Sequence, residues 1–127
     1  VNKEEERLQV QLVAWFKFQY PSYKDLISIP SFGENVGPRR MRRLKQMGLT
    51  PGWPDLFFAI PSYNPKFPNG MFIELKSRGK KPTRLQSNNH KILRSAGYFV
   101  FVADNFEYAM SCVQNYMKNA KKPPTFD

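Results

Sequence analysis

Apolar and polar positions alternate along the chain in a way that marks out eight elements. From Glu4 to Tyr20, Leu8, Leu12, Trp15 and Phe16 fall at i, i+4, i+7 and i+8, one face of a helix, and Pro21 closes the segment. Leu26 to Ser31 reads as a short strand, with Pro30 suiting a sheet edge. Pro38 opens a helix that continues from Arg39 to Met47, its apolar side formed by Met41, Leu44 and Met47. Gly48 is its C-terminal stop and Pro51 bars continuation. Two strand patterns follow, Asp55 to Ile60 and Met71 to Ser77, separated by a Pro-, Asn- and Gly-rich stretch from Pro61 to Gly70. Thr83-x-x-Gln86 is a capping-box signature for a helix to about Ser95, ended by Gly97. Tyr98 to Ala103 is nearly all apolar, the pattern of a strand buried on both faces. Phe106 to Asn119 puts Ala109, Val113 and Tyr116 on one helical face. With no repeat and no long linker, the order predicts one α/β domain over residues 1–120, a small central mixed sheet flanked by helices. Residues 121–127 read as a short tail.

Composition agrees with a packed domain. The 127 residues are 41% apolar and include 11 Phe, 6 Tyr and 2 Trp, enough for a core and too many for a disordered linker. The apolar runs are far shorter than the ~20 residues that a membrane-spanning helix needs. The chain opens at Val1 with no charged-then-apolar leader, so no membrane or secretory role is expected. The single cysteine, Cys112, suits a reducing, cytoplasmic setting.

Charge changes the picture more. From Val36 to Val102 there are thirteen basic residues and two acidic ones, net +11, whereas the rest of the chain is close to neutral. A cationic half of this kind points to a polyanion, most often nucleic acid. The two carboxylates inside it, Asp55 and Glu74, have no electrostatic use against a polyanion unless they hold a cation.

In a strand over Met71 to Ser77, Met71, Ile73 and Leu75 share one face while Phe72, Glu74 and Lys76 share the other. If the two central strands pair as a hairpin, Asp55 comes beside Glu74, and such a pair repels itself unless a cation intervenes. Mg²⁺ is the expected ion, since it takes oxygen ligands and keeps several waters, and His90 and Cys112 stand alone without a zinc cluster. A cation held by Asp55, Glu74 and a backbone carbonyl, with Lys76 alongside, is the equipment for phosphodiester hydrolysis. The plainer alternative is a Glu74–Lys76 surface ion pair with Asp55 as a turn residue.

Gly52-Trp53-Pro54-Asp55, Phe72-Ile73-Glu74-Leu75-Lys76 and Gln86 together resemble the PD-(D/E)xK nuclease superfamily, specifically its virus-type replication-repair nuclease (VRR-NUC) branch. The resemblance extends over nearly the whole chain, including Gly97-Tyr98-Phe99-Val100, and no motif position departs from it. It implies a restriction-endonuclease-like fold and Mg²⁺-dependent DNA cleavage, with Mn²⁺ able to substitute and no organic cofactor. Asp55 and Glu74 would be metal ligands with the Leu75 carbonyl, Lys76 the catalytic lysine, and Gln86 a support from the following helix. Gln86 also has a purely local reading as a capping residue. Standalone members resemble homodimeric Holliday-junction resolvases, which implies a homodimer acting on branched DNA and a phage or prophage source. A non-catalytic DNA-binding module, a flap or restriction-type nuclease, and an RNA-directed nuclease remain open on the same scaffold.

The family also tends to supply a first-helix glutamate. At about 100° per residue, Glu5 lies about 20° from Leu12, inside the apolar face, while Glu4 and Glu6 point away. Glu5 is therefore the candidate metal ligand, the alternative being that all three glutamates complement the positive helix N-terminus. For DNA contacts, Arg39, Arg40, Arg42, Arg43 and Lys45 line the polar sides of one helix, and Arg78, Lys80, Lys81 and Arg84 follow the catalytic strand. Thr83 and the helix start behind it could receive a phosphate on backbone N–H groups. His90 is read as a surface or structural histidine, and Trp53 and the Tyr63–Phe67 loop as stacking or dimer contacts.

Overall fold

The Asn2 side chain accepts the backbone N–H groups of Glu4 and Glu5, at 3.0 and 3.2 Å, and so starts helix α1 (Lys3–Gln19). The computed structural model describes residues 2–30 and 36–123. Pro21 ends α1 and opens a 3₁₀ turn, Pro21–Leu26, that the apolar pattern did not signal. Strand β1 is only Ile27–Ser28, because Leu26 is absorbed into that turn. Ser31, at the end of the expected strand, lies outside the described residues, as do 124–127 of the tail. Helix α2 (Pro38–Gln46) carries its proline in the first turn, and Gly48 follows it with φ +110°, a conformation that favours glycine.

Strand β2 (Leu56–Phe58) pairs antiparallel with both β1 and β3 (Met71–Leu75). Both central strands are shorter than their apolar patterns, since Asp55 and Lys76 lie just outside the ladder. A capping box, with both Thr83 and Gln86 bonds made, opens α3 (Arg84–Ser95). This helix is the crossover to β4 (Phe99–Ala103), which runs parallel to β3. Helix α4 (Phe106–Met117) is capped by the Asn105 side chain on the Tyr108 N–H at 2.9 Å. The four strands lie in the order β1-β2-β3-β4, the mixed sheet expected of a restriction-endonuclease-like fold.

The strand alternation divides the interior in two. Met71, Ile73 and Leu75 join Leu8, Leu12 and Phe16 of α1 and Ala109, Val113 and Tyr116 of α4 in the main core. The opposite face is covered by α3, where Phe72, Leu93 and Val100 are packed with Trp53, Phe57 and Tyr98. All five residues of β3 are therefore buried, including Glu74. β4 is the last strand of the sheet, yet Val100 lies under α3 while Phe101 and Ala103 face α1 and α4, so both its faces are covered. Its Phe99 and Val102 stay half-buried.

Two aromatics proposed for external contacts turn inward. Trp53 meets the Phe72 ring edge-on at 5.4 Å, and Phe67 meets Phe99 at 5.5 Å. Tyr63 stays exposed, with the Lys121 ammonium 5.1 Å from its ring centre. The start of the tail is anchored by Lys121 N–H to the Pro61 carbonyl at 2.9 Å and by the Tyr23 hydroxyl to the Lys121 carbonyl at 3.0 Å.

Phe16 has no exposed surface and stands edge-on to Phe58 at 4.9 Å. Phe16→Ala is expected to cost about 3–5 kcal/mol in urea unfolding. Val10→Ala, on the outer side of the same helix at 69% exposure, should stay within about 0.5 kcal/mol. Equal losses would contradict this assignment of the core.

Candidate active site

The antiparallel register pairs Leu56 with Ile73, so the position before Leu56 lies opposite the position after Ile73. Those positions are Asp55 and Glu74. Their carboxyl groups are within hydrogen-bonding reach of each other, and Asp55 Oδ2 also accepts the Leu75 N–H at 2.7 Å. Burial, then the Glu74 charge, raises the Asp55 pKa to about 7 against the opposing Leu75 hydrogen bond, with Glu5 adding to the rise. Burial likewise raises Glu74 to about 7, opposed by the Asp55 hydrogen bond and the Lys76 charge. Without a cation the pair retains protons near neutral pH.

Helix α3 meets this pair with two polar side chains, Gln86 and His90. Gln86 Oε1 accepts from Lys76 Nζ at 3.2 Å and from the Thr83 N–H at 2.9 Å, while Nε2 donates to Glu74 Oε2 at 3.4 Å. Gln86 is thus both the capping residue and a contact of the site. Because the box occupies the Thr83 and Gln86 N–H groups, a phosphate at this helix start would meet only the rest of the first turn. One turn on, His90 is buried, not a surface histidine, and its Nε2 lies 3.5 Å from Glu74 Oε1. Burial, then Arg94, holds its pKa below the usual histidine value, so the ring is neutral at physiological pH. Asn89 is also buried and donates to the Pro51 carbonyl at 2.7 Å, fixing the turn that leads into Asp55. Gly52 in that turn has φ +83°, and a Cβ there would fall 2.8 Å from both Asn89 Nδ2 and the Leu85 side chain. Sequence reading missed Asn89 and His90, although their i+3 and i+4 spacing from Gln86 puts all three on one helical face.

Glu5 is half-buried while Glu4 and Glu6 are exposed, in line with the helix geometry. Its Oε2 accepts from the Ser77 N–H at 2.9 Å and from Ser77 Oγ at 3.2 Å. Among the described residues no three His, Cys, Asp or Glu side chains converge tightly enough to hold one metal ion together. Glu5 therefore acts on the pair through its charge while its Oε2 is held by Ser77. Glu4 takes the Arg78 N–H at 3.2 Å, and Asp104 takes the Gly79 N–H at 2.9 Å. The Gly79 N–H, then the Asn105 side chain, holds Asp104 below the usual carboxylate range. Three successive amides of the loop after Lys76 are thus clamped by carboxylates from two other parts of the chain.

The donor set fits a hard divalent cation. Two carboxylates that burial leaves partly protonated near neutral pH, plus the Leu75 carbonyl, would leave about half of an octahedral shell to water, which suits Mg²⁺ or Mn²⁺. Around them the surface is basic: Arg39, Arg40, Arg42, Arg43 and Lys45 on α2, and Arg78, Lys80, Lys81, Thr83 and Arg84 beyond β3, are all exposed. Among the described residues no Lys or Arg lies within ion-pair distance of a carboxylate.

No protein-family model and no curated protein matches the chain. A solved structure described as a VRR_NUC domain protein does match: 25% identity, 91% of this chain and 89% of that chain covered, TM-score 0.77. The agreement spans nearly the full length of both chains, so the chain shares the fold of that VRR-NUC domain protein.

The raised carboxyl pKa values fix a sign for pH dependence. Carboxyls that titrate near 4 when unfolded and about 7 when folded bind more protons in the native state, so their contribution falls as pH rises from about 4 to about 7. Relative to Asp55→Asn, the metal-free parent should lose roughly 3–6 °C in melting temperature between pH 5.5 and pH 8. Adding Mg²⁺ should restore more of it at pH 8 than at pH 5.5. Identical pH responses in parent and variant would place the titration elsewhere.

Proposed function

We propose that this VRR-NUC domain is a metal-dependent, structure-selective DNA endonuclease acting on branched DNA such as a four-way junction. The observation that carries the reading is the pair formed by half-buried Asp55 and buried Glu74, with Lys76 held beside it by Gln86 in an otherwise basic region. Like charges are brought together there at a cost that serves no purpose in packing. A divalent cation bound by Asp55, Glu74 and the Leu75 carbonyl would supply the positive charge that offsets charge building on the phosphodiester.

The remaining roles belong to the chain's own side chains. Lys76, its ammonium held at 3.2 Å by Gln86, is available to orient the attacking water or to donate to the phosphoryl oxygen that gains charge. Water adds to phosphorus and gives up one proton to solvent, one P–O ester bond breaks, and the leaving alkoxide takes a proton from solvent. Exposed arginines on α2 and the Arg78–Arg84 segment contact the DNA backbone, which favours recognition of shape over base sequence. Two nicks in a two-fold substrate require two sites, so the reading includes a homodimer.

The decisive assay compares cleavage of labelled four-way junction, flap, linear duplex, single strand and RNA with Mg²⁺ or Mn²⁺. Paired nicks in the junction are expected, with Lys76→Ala reducing the rate at least about 100-fold while binding persists. A junction that is bound but left intact would favour a non-catalytic binding module. In parallel, Arg40→Ser with Arg43→Ser should weaken binding to every DNA sequence alike and lower the salt slope by about 1 per lost phosphate contact.

A further inference from the structure

Glu74 is only 2% exposed, and no arginine or lysine pairs with it at ion-pair distance. Its carboxylate is instead held from α3, one oxygen by each of two side chains. Oε2 receives the Gln86 Nε2 at 3.4 Å, and Oε1 faces the His90 Nε2 at 3.5 Å. Gln86 and His90 are four residues apart, so they lie one above the other on the helix face turned to the sheet. This two-point hold fixes both the position and the plane of the carboxylate, and Asp55 occupies its remaining side.

The residues around His90 on this helix have other tasks. Its neighbour Asn89 anchors the Pro51 turn, and Leu93, one turn on, closes the aromatic cluster with Phe72 and Val100. A leucine at position 90 would pack there without contacting Glu74 Oε1. A polar ring reaching a buried carboxylate has a different consequence: it limits the rotation that would let Glu74 turn away from Asp55. At 3.5 Å the contact is long in the free protein, as is common for groups that tighten when the site is filled.

We propose that His90 is a positioning residue for the cation site, holding Glu74 Oε1 through Nε2 so that the Asp55 and Glu74 carboxylates present a preformed pair. The inference rests on the cation-binding reading of that pair. It does not make His90 a ligand or a proton carrier. Groups that hold metal ligands from outside commonly change metal affinity 10–100-fold when removed, about the range expected here.

The test uses Mn²⁺ alone, titrated into the full chain by calorimetry with no DNA present, so that cleavage is not the readout. Three variants are compared after circular dichroism confirms folding. His90→Asn keeps a polar side chain too short to reach Glu74, whereas His90→Gln places an amide near the position of Nε2. Glu74→Gln removes the carboxylate itself. Mn²⁺ affinity is expected to fall at least about 10-fold in His90→Asn, to recover to within about 3-fold of the parent in His90→Gln, and to be lost in Glu74→Gln. Unchanged affinity in His90→Asn, with loss in Glu74→Gln, would overturn the positioning role and leave the cation site standing. Unchanged affinity in Glu74→Gln would overturn both.

Discussion

The pairing of β2 with β3 sets two carboxylates side by side in a largely buried environment, and much of the rest of the domain is arranged around that contact. A one-residue slip would carry Glu74 away from Asp55 and turn the apolar set of β3 out of its core. The register is fixed because both strands have both faces occupied: Leu56, Phe58, Met71 and Ile73 in the main core, Phe57 and Phe72 stacked at 4.5 Å on the other side. The packing therefore enforces an electrostatic conflict, and the conflict marks the site.

Helix α3 makes that conflict tolerable. It begins with a capping box whose glutamine is shared with Lys76 and Glu74, continues with Asn89 on the Pro51 turn and His90 facing Glu74, and closes on Leu93 within the aromatic cluster. Polar and apolar functions alternate along one helical face, so the element that covers the sheet also spaces the groups of the candidate site. The loop between β3 and α3 is held differently, by Glu5, Glu4 and Asp104 on three consecutive N–H groups. Backbone anchoring of this kind leaves the side chains of Arg78, Lys80 and Lys81 free to face solvent, where a polyanion can reach them. It also couples the first turn of α1 to the segment carrying Lys76, which explains why a helix far away in sequence matters to the site.

Much of this was legible in the chain itself. Helical periodicity located α1, α2 and α4, the capping-box pair located α3, and period-two alternation assigned the faces of β3, because each of these signals is generated by neighbours a few residues apart. Charge bookkeeping isolated Asp55 and Glu74 from the same linear information. What failed was of another kind. The length of β1 and the 3₁₀ turn before it depend on how Leu26 meets the sheet. His90 was read as a lone histidine because its partner is sixteen residues away and on another element. Asn89 showed only its helical spacing from Gln86, and its role appeared once the Pro51 turn was folded against it.

The sequence by itself determined the element order, the mixed α/β class, the concentration of positive charge and the residue types gathered at the candidate site. These follow from local periodicity and from residue chemistry, which do not depend on distant contacts. Only the tertiary structure decided that Glu74 is buried, that Glu5 spends an oxygen on Ser77, that Gln86 bridges Lys76 and Glu74, and that His90 touches the carboxylate. Each of those outcomes requires two segments far apart in the chain to meet at a few ångströms. That distance is set by strand register and helix packing, not by any pattern confined to one segment.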